Sequence, residues 1–206
     1  MLHRQGLRRM SAAIAVAVFG VFGAAQAADP PKHIRGTVTS IKDGEATVKT
    51  ATGKMQVIHV GEKTLLFSVT AVGIEAITPN KFVGVTSVEQ NGKRVAREVH
   101  VFDETLRGLG EGHYPWDIEE GANMMTNANI GKVETVGDDH VIKLDYKDGT
   151  QNVAVPPTAK IVMFGNAPKG SLKEGDKVFS MANAGADGKL DAILFVIGAN
   201  GQTPPM

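Results

Sequence analysis

The chain repeats itself at a spacing of 95 to 96 residues, and this repeat limits the folds open to it more than any other feature. RGTVTSIKDGEATVKTATGKMQVIHV, from Arg35, lies over IGKVETVGDDHVIKLDYKDGTQNVAV, from Ile130. Gly36, Val38, Ile41 and Asp43 fall on Gly131, Val133, Val136 and Asp138 at a shift of 95. One residue is gained in the first turn, and Val48, Gly53, Val57 and Leu65 then fall on Leu144, Gly149, Val153 and Ile161 at a shift of 96. The same shift carries Lys81, Gly92, Lys93, Ala96, Val99 and Val101 onto Lys177, Gly188, Lys189, Ala192, Phe195 and Ile197.

Each copy has the same order of elements. A strand with alternating apolar residues (Gly36 to Ile41, or Gly131 to Val136) turns at Lys-Asp-Gly or Gly-Asp-Asp. A second strand follows (Ala46 to Thr50; Val141 to Tyr146), then a third (Lys54 to Val60; Thr150 to Val155). After a less regular segment containing Thr78-Pro79 or Ala167-Pro168-Lys169-Gly170, a strand begins at Lys81 or Lys177. An Asn-Gly or Asp-Gly turn then leads into the last strand, Arg94 to Phe102 or Leu190 to Ile197. Alternation buries one face of each strand, and five such strands close into a small barrel without long open edges. The expectation is an all-β chain of two tandem barrels of the oligonucleotide-binding (OB-like) type, residues 33–105 and 130–198. An ordered Gly-rich connecting segment, 106–129, joins them, and a disordered tail occupies 199–206.

Residues 1–27 read as an export signal. His3, Arg4, Arg8 and Arg9 precede the apolar run SAAIAVAVFGVFG, and Ala25-Gln26-Ala27 fits signal-peptidase cleavage. The run is shorter than the roughly 18–20 residues that span a bilayer. The expected mature chain therefore starts near Ala28, periplasmic or secreted, with no membrane span of its own. Of the 22 Lys and Arg, three Arg lie in this leader, so the remainder is mildly acidic against 22 Asp and Glu. A mildly acidic chain lacks the positive groove that nucleic acid requires. With no Cys in the chain, disulfides contribute nothing in an oxidising compartment.

The most distinctive chemistry sits in the connecting segment. GLGEGHYPWDIEEGANMMTNA, Gly108 to Ala128, holds the only Trp, one of two Tyr and two adjacent Met. Four glycines leave it loose, so fixing it needs an apolar anchor, and Tyr114, Pro115 and Trp116 can supply one between two barrels. The run Arg107-Gly108-Leu109-Gly110-Glu111-Gly112-His113-Tyr114-Pro115-Trp116-Asp117, followed by Met124-Met125-Thr126-Asn127-Ala128, resembles the RGxGEGHxPWD and TMTNA-like hallmark of a group of uncharacterised exported bacterial proteins. The resemblance implies paired OB-like barrels and export. Some relatives carry a metal-transporter permease label, which this chain, without spans, does not fit.

Candidate binding residues are Glu111, His113, Tyr114, Trp116 and Asp117. A copper or zinc site would draw on His113 and Asp117 with the soft thioethers of Met124 and Met125, although no cofactor is required. His59 and His100 replace the apolar Val155 and Val196 of the other copy; exposure on an edge or rim is the expected reason, and a His pair sharing a site with the connecting segment is the alternative. His33 and His140 are expected in solvent. No Gly-x-Ser-x-Gly elbow is present, Ser40, Ser68, Ser87, Ser171 and Ser180 have no recognisable surroundings, and adjacent acids such as Glu119-Glu120 or Asp138-Asp139 point to opposite faces of a strand. The functional expectation is a non-enzymatic binding or scaffold protein for an exported protein, peptide or envelope component. A periplasmic metal-binding protein is the alternative.

Overall fold

The structure is a computed structural model and describes residues 29–118, 123–185 and 189–206. The expected export signal, 1–27, lies outside the described residues, as do Glu119 and Glu120.

The described chain is all-β. The strands are β1 (Lys32–Lys42), β2 (Glu45–Thr50), β3 (Met55–His59), β4 (Leu65–Ala71), β5 (Phe82–Gln90), β6 (Lys93–Phe102), β7 (Gly112–Trp116), β8 (Asn123–Val136), β9 (Asp139–Tyr146), β10 (Gly149–Val155), β11 (Lys160–Asn166), β12 (Lys177–Ala184) and β13 (Leu190–Gly198). The tight hairpins follow from local chemistry. Asp43-Gly44 and Asn91-Gly92 take positive φ at both positions (52° and 78°; 52° and 74°), as a two-residue turn matched to strand twist requires.

Hydrogen bonding runs round two five-stranded circuits. In one, β1, β2 and β3 form a meander, β12 and β13 a hairpin, and β1 pairs with β12. A short parallel step, Leu190 opposite Ile58 and Asp191 opposite His59, closes the ring. The other circuit repeats this with β8, β9 and β10 against β5 and β6, closed where Val153 and Ala154 meet Arg94 and Val95. Alternation fills each interior. Val38, Ala46, Val48, Ile58 and Phe195 pack inside the first, and Val83, Val85, Val99, Ile142, Leu144 and Val153 inside the second.

The small-barrel architecture was legible, but the boundaries 33–105 and 130–198 do not hold. Each circuit takes three strands from one repeat and two from the other. The exchange happens through β4 and β11, which fall in the segment expected to be irregular. β4 lies parallel to β13, β11 parallel to β6, and β4 and β11 pair antiparallel between the circuits. At that pairing Val69 faces Phe164 and Ser68 faces Gly165. At the 96-residue shift, Phe164 is the counterpart of Ser68 and Gly165 that of Val69, so a local pseudo-two-fold axis passes between the two strands. The repeat register also shifts slightly. Val83 opposes Val101 and Val178 opposes Ile197, so β5 and β12 correspond at 95 rather than 96.

A third core fills the seam between the circuits. Phe67 and Val69 of β4, Phe82 and Phe102, Val162 and Phe164 of β11, and Phe179 and Val196 are all buried there. Met206 joins them at 6% exposure. Residues 199–206 are therefore not a disordered tail. A short 3-10 turn at Ala199–Gly201 redirects the chain, Gln202 accepts from the Ala71 amide at 2.9 Å, and Pro204, Pro205 and Met206 are buried. Prolines give up little further freedom when such a segment docks, and an apolar Met gives it something to bury.

Candidate functional site

The segment 106–129 is not a connector slung between two barrels. Its first part folds as β7 onto β8, with Tyr114 opposite Met125 and Trp116 opposite Asn123. The same stretch of β8 pairs on its other edge with β5, Phe82 to Ser87. β7 therefore extends the outer wall of one barrel, and alternation puts Tyr114 and Trp116 on the face that Met125 shares. On that face Trp116 stands 4.6 Å from the His33 ring and 6.0 Å from Phe179, both belonging to the other circuit.

Beneath this hairpin lies a cavity of about 340 Å³ at the seam. Its walls are aromatic and aliphatic, with Phe67, Phe102, Phe164 and Phe179 around it and Tyr114 and Trp116 above. The rings form one connected set, Phe164 lying 5.0 Å from Phe67 and 4.9 Å from Phe102, within the range for favourable aromatic pairs. Polar groups are few. The Asn127 amide donates to the Leu109 carbonyl at 3.2 Å and to the Tyr114 hydroxyl at 3.1 Å, while its buried Oδ1 has no partner. Buried Nε1–H of Trp116 has none either. Gly84 opens the space, because a Cβ there would lie 2.6 Å from Asn127 Oδ1 and 3.1 Å from the Phe102 ring. Gly110, at φ 61°, lets the loop pass where a Cβ would meet Asn127 Nδ2 at 2.9 Å.

His100 forms part of the cavity wall and is 3% exposed, against the rim position expected for it. His59 is exposed as expected, and His33 is partly covered by Trp116 and Phe179 rather than free in solvent. Burial pushes the His100 imidazole down to about 4, only partly opposed by its 3.2 Å bond to the Pro205 carbonyl. The neutral ring donates Nε2–H to that carbonyl and keeps Nδ1 as an acceptor. Glu98 is 1% exposed, and burial raises its carboxyl to about 8, against the 2.8 Å bond from Thr86 and the charges of Arg35 and Lys160. At neutral pH the 3.5 Å contact of Glu98 with His100 thus joins a protonated acid to an uncharged imidazole, and it is not an ion pair. Sequence reasoning missed Glu98 altogether. The sequence carried no signal for it, because Glu98 lies on the face of β6 opposite Val99 and Val101 of the barrel core, a face that alternation alone leaves to solvent.

The remaining candidates have separate structural partners. Glu111 accepts from the Lys147 amide at 3.0 Å and ties β7 to the β9–β10 turn. Tyr114 has its hydroxyl pKa raised by burial. His113 bonds the Thr126 hydroxyl at 2.8 Å and stacks on Tyr146 at 5.9 Å; burial and then the Arg94 charge lower its pKa. Asp117 turns to the other circuit, 2.9 Å from Arg35 and 2.6 Å from His33. Partial burial works to raise its pKa, but the hydrogen bonds and charges of Arg35 and His33 outweigh this and hold it below the usual carboxylate range.

The four metal candidates are therefore not assembled around one point. His113 and Met124 share a face of the β7–β8 hairpin, Met125 is on the other, and Asp117 is engaged by the side chains of Arg35 and His33. Among the described residues no three His, Asp or Glu side chains come together in metal-binding geometry. A roomier depression of about 580 Å³ is lined by Val136, Val141 and Ala154 together with Glu89, Lys93, Arg94, Gln151 and Asn152, and has no aromatic wall. Among the described residues no helix is long and apolar enough to cross a membrane. No protein-family model matches the chain, and comparison with curated proteins and with solved structures finds no match.

Proposed function

We propose that this chain is a non-enzymatic binding protein of the bacterial envelope, exported by its first 27 residues, whose ligand site is the aromatic cavity at the seam. The observation that carries the reading is the cavity's composition. An apolar space of about 340 Å³ with a buried, unpartnered acceptor at Asn127 and donor at Trp116 is what a small apolar molecule with one or two polar atoms needs. Unpaired buried groups cost about 1–3 kcal/mol each, and a ligand that satisfies them recovers that free energy on binding.

The test uses the single Trp. N-phenylnaphthylamine, a neutral apolar dye, accepts excitation from a nearby indole. Titrated into the full chain, it should show saturable one-to-one energy transfer from Trp116. Uptake that never saturates, or saturable uptake without transfer, would remove the cavity as the site.

A further inference from the structure

Beside the aromatic cavity lies a second recess of about 360 Å³, walled by Arg35, Arg97, Lys160, Glu98 and the segment Pro204 to Met206. Met206 borders both spaces. Its side chain lies in the seam core, while its main-chain oxygen accepts from Arg35 Nε. The Arg35 guanidinium is held in place by the Phe179 ring, 5.1 Å below it, and by Asp117 at 2.9 Å. One residue step back, the Pro205 carbonyl takes the His100 Nε2–H. This short segment therefore presents an apolar group to the cavity and an oxygen to a fixed cation.

The surrounding charge suits an anion. Arg35, Arg97 and Lys160 border the recess, and the one acid among its walls, Glu98, is kept protonated by burial at neutral pH. The negative charge of Asp117 is already met by Arg35 and His33. An oxygen anion in the recess gains charge-assisted hydrogen bonds, the strong kind, while an apolar body attached to it reaches the aromatic rings.

We propose that the seam takes an amphiphilic monocarboxylate, its apolar body in the aromatic cavity and its carboxylate on Arg35 and Lys160, and that Pro204–Met206 is the built-in occupant it displaces. This rests on the cavity being a binding site. A competing internal segment lowers apparent affinity by the fraction of molecules in which it is seated, so weakening the segment tightens binding.

The test compares decanoate, decanol and decyltrimethylammonium on the full chain, read by Trp116 emission. Decanoate should bind about tenfold more tightly than decanol, and decyltrimethylammonium more weakly than either. Lys160→Gln, at an exposed position, should loosen decanoate severalfold and leave decanol unchanged. Met206→Ser should tighten both. Equal affinity for decanoate and decanol would overturn the carboxylate assignment while the cavity stands as a site. No binding of any of the three, together with no dye uptake, would remove the cavity reading itself. Unchanged or weaker decanoate binding by a folded Met206→Ser chain would overturn the displacement.

Discussion

Glu98 and His100 sit two residues apart on β6, and the same burial acts on them in opposite directions. The carboxyl, near 8 when folded, holds its proton far above the ordinary value of 4.5. Its contribution to stability is fully present below that ordinary value and is lost as pH rises through about 8. The imidazole, near 4 when folded against an ordinary 6.5, contributes fully above 6.5 and loses that contribution as pH falls toward 4. Between about pH 4.5 and 6.5 the two slopes oppose each other. Glu98→Gln keeps the Thr86 partner and removes the titration, so its stability relative to the parent chain should rise from acid toward mildly alkaline pH. Urea midpoints at about pH 5, 7 and 8.5 check this, and a constant difference would show that Glu98 does not titrate as its burial demands. Of this pair the sequence displayed only the oddity, His100 where the other repeat has Val196. It could not say that the far side of β6 would be covered by a second barrel, and that covering is what turns a rim position into an interior one.

The strands themselves were readable from alternation and turn chemistry. β2, β3, β5, β6, β9, β10, β12 and β13 lie where the repeat placed them, within a residue or two, whereas β1 begins four residues before the expected Gly36 and β8 eight before the expected Gly131. β4 and β11 were not, and the reason is physical. LLFSVTA and KIVMFGN are short apolar runs whose sequence lacks the clean polar–apolar alternation of the other strands. Nothing local states whether such a strand returns to its own barrel or crosses to the next. β7 was hidden for a similar reason, because Gly-rich flanks and a Pro argue for a loop until β8 is present to pair with it. For the candidate site, Tyr114 and Trp116 were found through their rarity and by the need for an anchor, whereas Phe67, Phe164 and Asn127 depend on the crossing strands. Phe164, 5% exposed with Phe67, Phe102 and His100 around it, tests the seam as an element. Phe164→Ala should lower stability by about 3–5 kcal/mol. Calorimetry should show both circuits melting in one transition, and two separated transitions would mean that the seam does not couple them.

On the scale of the whole molecule, neither repeat contains a complete barrel. A protease site introduced between Ile118 and Asn123 should therefore give two pieces that co-elute under native conditions and separate only in denaturant. Separation on nicking alone would contradict the exchange of strands. The exchange also bears on how the chain is made. The circuit holding β1, β2 and β3 waits for β12 and β13, which begin at Lys177, more than a hundred residues after β3 ends at His59. At roughly 5–20 residues per second, ribosomal synthesis leaves the first meander without its partners for several seconds or more. A chain of this kind stays open along most of its length while it emerges, so its first meander is exposed to other partners for longer than a barrel built from consecutive strands would be.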